Sequence, residues 1–250
     1  MQRENNRVGV ILLYYFFVVK INLLLIKNGG IMKKLNIDNY YMLRWLDEYL
    51  MGHKGFICGG CFKNIFTRET VKDIDIFFYN EDDWQDAVDY FDSKTVGYGF
   101  DNEKVTEENA TYLFKYENEK VKAYKNIQTG ITIELCRSIF GTPEEILKEF
   151  DFTITKFAYY REEVENEDDN DSHIETKLIC HDDFWEHLFM KRLVTDDQIK
   201  YPVSTLERSY RYARYGYFPC KETKIKLATA INDLPKNLIE VSESLYNGVD

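Results

Sequence analysis

Asp73 and Asp75 stand two positions apart in the run Asp73-Ile74-Asp75-Ile76-Phe77-Phe78, so on a strand their carboxylates share one face. Two acids held side by side repel each other unless a cation lies between them, and Mg²⁺ shared with substrate phosphates is the usual one. Upstream, Gly59 and Gly60 interrupt an apolar stretch. A Gly-Gly turn lets the backbone approach a ligand with no Cβ in the way and presents N–H groups to phosphate oxygens. Downstream, Glu134 lies between Ile133 and Leu135, as an acid on a mostly covered strand would. The apolar residues Ile74, Ile76, Phe77 and Phe78 argue against an edge strand whose acids are merely solvated.

Gly-Gly after a hydrophobic residue, a spacer, then Asp, hydrophobic, Asp, with a third acid on a later strand, resembles the signature of the nucleotidyltransferase superfamily of the DNA polymerase beta type, in a phage or bacterial branch. The resemblance covers roughly residues 54–160. It implies that Asp73, Asp75 and Glu134 are catalytic and hold two Mg²⁺ (or Mn²⁺). It places a nucleoside triphosphate at Gly59 and Gly60 and puts Lys63 toward the triphosphate, with a solvent-facing Lys63 as the alternative. An acceptor hydroxyl on RNA, a protein or a small molecule would then attack the α-phosphate and expel pyrophosphate. The competing class is a catalytically silent nucleotide-binding or interaction protein of a defence or toxin system.

A chain of 250 residues with 44% apolar and 16% aromatic content has ample core material. Its net charge of −11 argues against broad coating of nucleic acid, so a polyanionic partner would need a local basic patch. Cys58, Cys61, Cys136, Cys180 and Cys220 are odd in number and have apolar neighbours, which fits buried free thiols in a reducing cytoplasm. Cys58 and Cys61 form a C-x-x-C, but no second pair or spaced histidine completes a zinc site. His53, His173, His181 and His187 show no ligand spacing and read as packing or surface residues.

Residues 9–26 are nearly continuous apolar, with Lys20 and Asn22 breaking the run. A membrane span needs about 20 apolar residues, and a central lysine costs roughly 3 kcal/mol on insertion. Gly29-Gly30 before Met32-Lys33-Lys34 is what a translated ribosome-binding site and start codon would spell. Residues 1–31 are therefore expected to be a translated upstream leader, with a membrane anchor as the minority reading, and no stable membrane partner is expected.

The elements that would position the acids are α+β: a nucleotidyltransferase-like mixed sheet flanked by helices over 32–180, then a helical lobe over 181–250. Periodicity predicts a helix over 37–51 capped by Asp38, a strand over 55–58 and a short helix over 60–66 whose dipole would add to the phosphate cradle. The carboxylate strand follows over 72–79, then a helix capped by Asn80. A hairpin over 111–126 leads to the Glu134 strand. Thr142-Pro143-Glu144-Glu145 spells a capping box, residues 152–160 a strand and residues 162–173 a solvated acidic loop. Beyond it, helices are expected over 182–193, 204–215, 221–234 and 235–246. In the third-last of these, Arg208, Arg211 and Tyr215 share a helical face and are the candidate acceptor contacts, RNA being slightly favoured. The opposing expectation is that Tyr210 and Tyr212 pack in the core while the arginines pair with acids.

Overall fold

Acid and aliphatic residues alternate along Asp73-Ile74-Asp75-Ile76, the pattern of a strand with one face in a core and the other open at one end. In the computed structural model, which describes residues 32–98, 105–165, 172–196 and 198–234, this segment is β3 (Asp73–Phe78) near the middle of a mixed sheet. The other strands are β1 (Met32–Leu35), β2 (Phe56–Cys58), β4 (Tyr112–Glu117), β5 (Val121–Asn126), β6 (Thr132–Phe140), β7 (Phe157–Glu165) and β8 (Ser172–His181). Their order is β1-β8-β7-β2-β3-β6-β5-β4, with β3 and β6 parallel and every other pair antiparallel.

Helices cover both faces. Ile57, Ile74, Ile76, Phe78, Ile133 and Leu135 point into the larger core, where α1 (Cys61–Thr67) contributes Phe62 and Ile65 and α2 (Glu81–Asp92) contributes Trp84, Val88 and Phe91. The Trp84 indole donates to the Leu135 carbonyl at 3.2 Å, which pins α2 across β6. Residues Phe56, Cys58 and Phe77 point the other way, onto Ile146, Leu147 and Phe150 of and after α3 (Pro143–Glu149). That second core stops short of Asp75 and Asp73, so the N-terminal half of β3 keeps an open face.

The local cap signals hold where the partner is a near neighbour. Asn80 caps α2, and Thr142 with Glu145 forms the full capping box of α3. Asp38 does not cap the first helical segment. Asn36 does, accepting from the Asp38 N–H at 2.8 Å, and Ile37–Leu50 winds as a 3₁₀ helix broken at Tyr40. Thr153–Thr155 is a 3₁₀ turn where a strand is expected, and β7 then runs through Glu165, so Glu162–Glu165 belong to a strand and not to a loop.

C-terminal to β8, α4 (Phe184–Phe189) is only a short helix, and β9 (Arg192–Leu193) pairs in parallel with β10 (Phe218–Pro219). Between them lies α5 (Pro202–Ala213), and α6 (Lys221–Asn232) follows. Phe184, Leu188, Leu193 and Tyr217 join the larger core, so these elements share its hydrophobic interior. The expected leader over 1–31 and the helix over 235–246 lie outside the described residues. Among the described residues, no helix is long and apolar enough to cross a membrane.

His53 fixes the turn before β2. Its Nδ1 accepts the Gly55 N–H at 3.0 Å and its Nε2–H donates to the Tyr49 carbonyl at 3.0 Å, an arrangement open only to the neutral ring. Burial, opposed by the Tyr49 bond, lowers the pKa to about 4. The unfolded ring binds its proton near pH 6.5 and the folded ring only near 4, so the unfolded state holds more protons between these values. Stability is therefore full above about pH 6.5 and falls as the pH drops toward 4, by up to about 3 kcal/mol from this ring. Thermal melts from pH 7 to 4 should show this fall, and His53→Gln should flatten it.

Candidate active site

The acids are set by strand register. Asp75 lies directly beside Glu134 in the parallel β3–β6 pair, and Asp73 lies beside Thr132. Cys58 of β2 is opposite Asp75 on the other side, so the residue after it, Gly59, starts its turn next to that carboxylate. Gly59 has φ +104, a conformation L side chains rarely adopt. A Cβ built there would meet the Asp75 Oδ2 at 3.3 Å and the Phe150 ring at 3.1 Å. Glycine is thus required both by the backbone and by the closeness of the acid. The Gly59 N–H already donates to the Phe157 carbonyl at 3.2 Å, so a phosphate would have to be met by amides from Gly60 onward.

Gly60 is different. Its φ of −69 and ψ of −19 suit any residue, and a Cβ there would approach only the Tyr212 hydroxyl, at 3.4 Å. Tyr212 of α5 therefore reaches the Gly-Gly turn, while its ring packs edge-on against Phe152 and Tyr217.

Lys63 is not solvent-facing. It is 4% exposed, its ammonium lies 2.8 Å from the Glu69 carboxylate and also bonds Asn64, and the Tyr215 and Tyr217 rings flank it at 4.9 and 5.5 Å. Burial excludes the solvent-facing alternative, and its contacts tie α1 to the segment after α5.

Arg208 departs furthest from the expectation of an exposed acceptor contact. It is 8% exposed, and its guanidinium makes an ion pair and a hydrogen bond with the buried Asp151 carboxylate. Burial holds Asp151 above the ordinary carboxylate range, and Arg208 pulls it back. Arg211 and Tyr215 are exposed on the same segment, so the three residues do not form one open face. Tyr210 is 67% exposed, contrary to its expected core packing, whereas Tyr212 does pack.

Tyr116 is the residue that sequence reasoning missed. Its phenol donates to Glu134 Oε1 at 2.5 Å. A register shift in β4 between Phe114 and Tyr116 sets Tyr116 opposite Ala123, which is itself opposite Glu134. Tyr116, Ala123, Glu134 and Asp75 thus form one cross-strand row on one face. Without the bulge, strict alternation would turn Tyr116 to the opposite face. Burial, then the Glu134 bond and the charges of Glu134, Asp73 and Asp75, hold the phenol well above its ordinary pKa.

Three carboxylates are the hard oxygen donors that suit Mg²⁺ or Mn²⁺. Asp73 and Asp75 meet this requirement from one strand face. Among the described residues, no three His, Cys, Asp or Glu side chains close round a single point, and Glu134 is engaged by Tyr116. Cys58 and Cys61 are buried free thiols that burial, first of all, pushes well above their ordinary value, whereas Cys136 and Cys220 are only partly buried.

Residues 36–191, more than half of the chain, match the family described as Gad2, Gabija anti-defense 2 family protein. The chain belongs to the Gabija anti-defense 2 family. No curated protein matches this Gad2 family member in sequence. Two solved structures, of a CCA-adding enzyme with CTP and with ATP, are each 13% identical to it, cover 88% of its length and match at a TM-score of 0.51. A Thermotoga maritima CCA-adding enzyme complexed with tRNA is 14% identical over 88% of the Gad2 chain, at a TM-score of 0.45. The chain spans about half the length of these enzymes, 51% of the first two and 52% of the third. At that identity the likeness is one of fold: the Gad2 chain has the α+β architecture of nucleotidyltransferases.

Proposed function

We propose that this chain is a metal-dependent nucleotidyltransferase that moves a nucleoside monophosphate from a nucleoside triphosphate to an acceptor hydroxyl, releasing pyrophosphate, and that this transfer counters Gabija defence. The carrying observation is the register that sets Asp75 beside Glu134 on the face where Gly59 has no side chain. Asp73, Asp75 and Glu134 would hold the Mg²⁺ or Mn²⁺, which supplies charge neutralisation at the phosphates and a lowered pKa at the acceptor hydroxyl. The chain's own residues do the rest. The Gly59–Gly60 turn admits phosphate oxygens to the backbone from Gly60 onward, and the Phe150 and Tyr212 side chains bound that opening. Glu134, poised against a hydroxyl already, accepts the acceptor's proton.

The two glycines separate structure from ligand. Gly59→Ala is expected to destabilise the fold by roughly 1–2 kcal/mol from its backbone conformation alone, with the Phe150 and Asp75 contacts adding to that. Gly60→Ala should leave the denaturation midpoint unchanged and weaken nucleoside triphosphate binding several-fold, since its Cβ would stand in the phosphate's path. Equal nucleotide affinity in Gly60→Ala and the parent would remove the turn from the binding site.

RNA remains an acceptor to be tested, through the exposed Arg211, Arg214 and Tyr215. Arg208 gives it no support, being committed to Asp151. Transfer to RNA should weaken steeply with salt, and a flat salt dependence removes RNA in favour of a protein or small-molecule hydroxyl.

Two observations favour a second reading, a catalytically silent nucleotide binder: Glu134 is occupied by Tyr116, and the three acids do not converge. The test joins both readings to the family's name. Expression in cells carrying Gabija should lower protection, and Asp73→Asn with Asp75→Asn should restore it if transfer is the cause. A silent protein that counters the defence without needing a bound nucleotide would keep its effect in the double variant, and pyrophosphate release separates transfer from silent nucleotide binding.

A further inference from the structure

The Tyr116 hydroxyl stands against Glu134 on the carboxylate face, placed there by the register shift in β4. We propose that Tyr116 is itself an acceptor, a self-modification site at which the chain transfers a nucleoside monophosphate from a nucleoside triphosphate onto its own phenol. The proposal rests on the transferase reading above.

Four features carry it. First, the phenolic oxygen is 2.5 Å from Glu134 Oε1, within reach of a carboxylate that can take its proton. Second, Glu134 lies beside Asp75, so the phenol, the base and the phosphate-binding acids occupy one row. Third, Tyr116 is on β4, an edge strand of the sheet, and is 36% exposed, which leaves room on its solvent side for a nucleoside. Fourth, Lys115 bonds Thr132, the neighbour of Asp73, at 2.8 Å, with its ammonium 5.6 Å from the Tyr116 ring centre. That ammonium supplies positive charge next to where a phosphodiester would form.

The step balances with no further reactant. The Tyr116 oxygen attacks the α-phosphorus and an O–P bond forms. The bond from the α-phosphorus to the oxygen bridging to the β-phosphate breaks, and its electron pair leaves with pyrophosphate. The phenolic proton passes to the Glu134 carboxylate and from there to water. The product is a tyrosyl phosphodiester. It can no longer donate to Glu134, and its nucleotide covers the carboxylate face, so self-modification would limit later transfer to other acceptors.

The full chain would be incubated with each α-phosphate-labelled nucleoside triphosphate and Mg²⁺ or Mn²⁺, with and without RNA and cell lysate. Intact mass, peptide mapping and pyrophosphate would be read together. The expected result is one added nucleoside monophosphate mapped to Tyr116, absent from Tyr116→Phe and from the Asp73→Asn, Asp75→Asn pair. Label in RNA or lysate components with Tyr116 unmodified overturns self-modification and leaves the transferase reading standing. Label that persists on the chain of Tyr116→Phe overturns the assignment to this residue. No pyrophosphate and no label anywhere overturns both readings. A further readout needs no turnover: Tyr116→Phe frees a Glu134 oxygen and should bind Mn²⁺ several-fold more tightly than the parent. Unchanged Mn²⁺ affinity contradicts the contact on which the proposal stands.

Discussion

Asp73→Asn combined with Asp75→Asn is expected to abolish nucleotide transfer while leaving the fold intact. The two side chains share the open end of one strand face, and neither of the two cores needs their charge. Asparagine keeps the size and removes the negative charge that binds a cation and its phosphates. Taking two like charges off one face also relieves repulsion in the metal-free protein, so the denaturation midpoint should stay level or rise slightly. Transfer should fall by at least about a thousandfold, the scale on which removing charge stabilisation from a phosphoryl-transfer site acts. A wild-type rate in the double variant would show that the acids are ornaments of the sheet.

Arg208→Ala should produce the largest loss of stability. Its partner Asp151 is buried, and removing the guanidinium leaves that carboxylate without its opposite charge. Breaking a buried pair from one side costs about 3–5 kcal/mol. Replacing both, as Arg208→Met with Asp151→Leu, should recover much of that loss, because the paired desolvation penalty goes with it. The check is a double-mutant cycle in denaturant. A single variant with an unchanged midpoint and weakened RNA binding would instead make Arg208 an acceptor contact.

The parts of the fold that were legible share one property: their causes are local. Asp73 and Asp75 fall on one face because strands alternate, and Thr142 with Glu145 closes a box three residues wide. Asn80 caps α2 for the same reason. The hairpin over β4 and β5 was legible too, but its bulge was not. Nothing in Tyr112-Leu113-Phe114-Lys115-Tyr116 marks which residue is extra, and that slip alone decides whether Tyr116 faces Glu134. Arg208 illustrates the other limit. Its helical face looks like a basic stripe in sequence, while its partner, Asp151, lies 57 residues away and across a turn of the fold. The buried Lys63 is similar: Glu69 is near in sequence, but the Tyr215 and Tyr217 rings that cover it arrive from beyond α5.

The central claim is that the Asp73, Asp75 and Glu134 face transfers nucleotides. Its most direct test is pyrophosphate release by the purified chain, supplied with each nucleoside triphosphate, Mg²⁺ or Mn²⁺, RNA and lysate, alongside the Asp73→Asn, Asp75→Asn pair. The account predicts pyrophosphate in step with label on an acceptor, from the parent and not from the double variant. Tight nucleotide binding with no pyrophosphate from either protein would contradict it and leave a silent nucleotide binder.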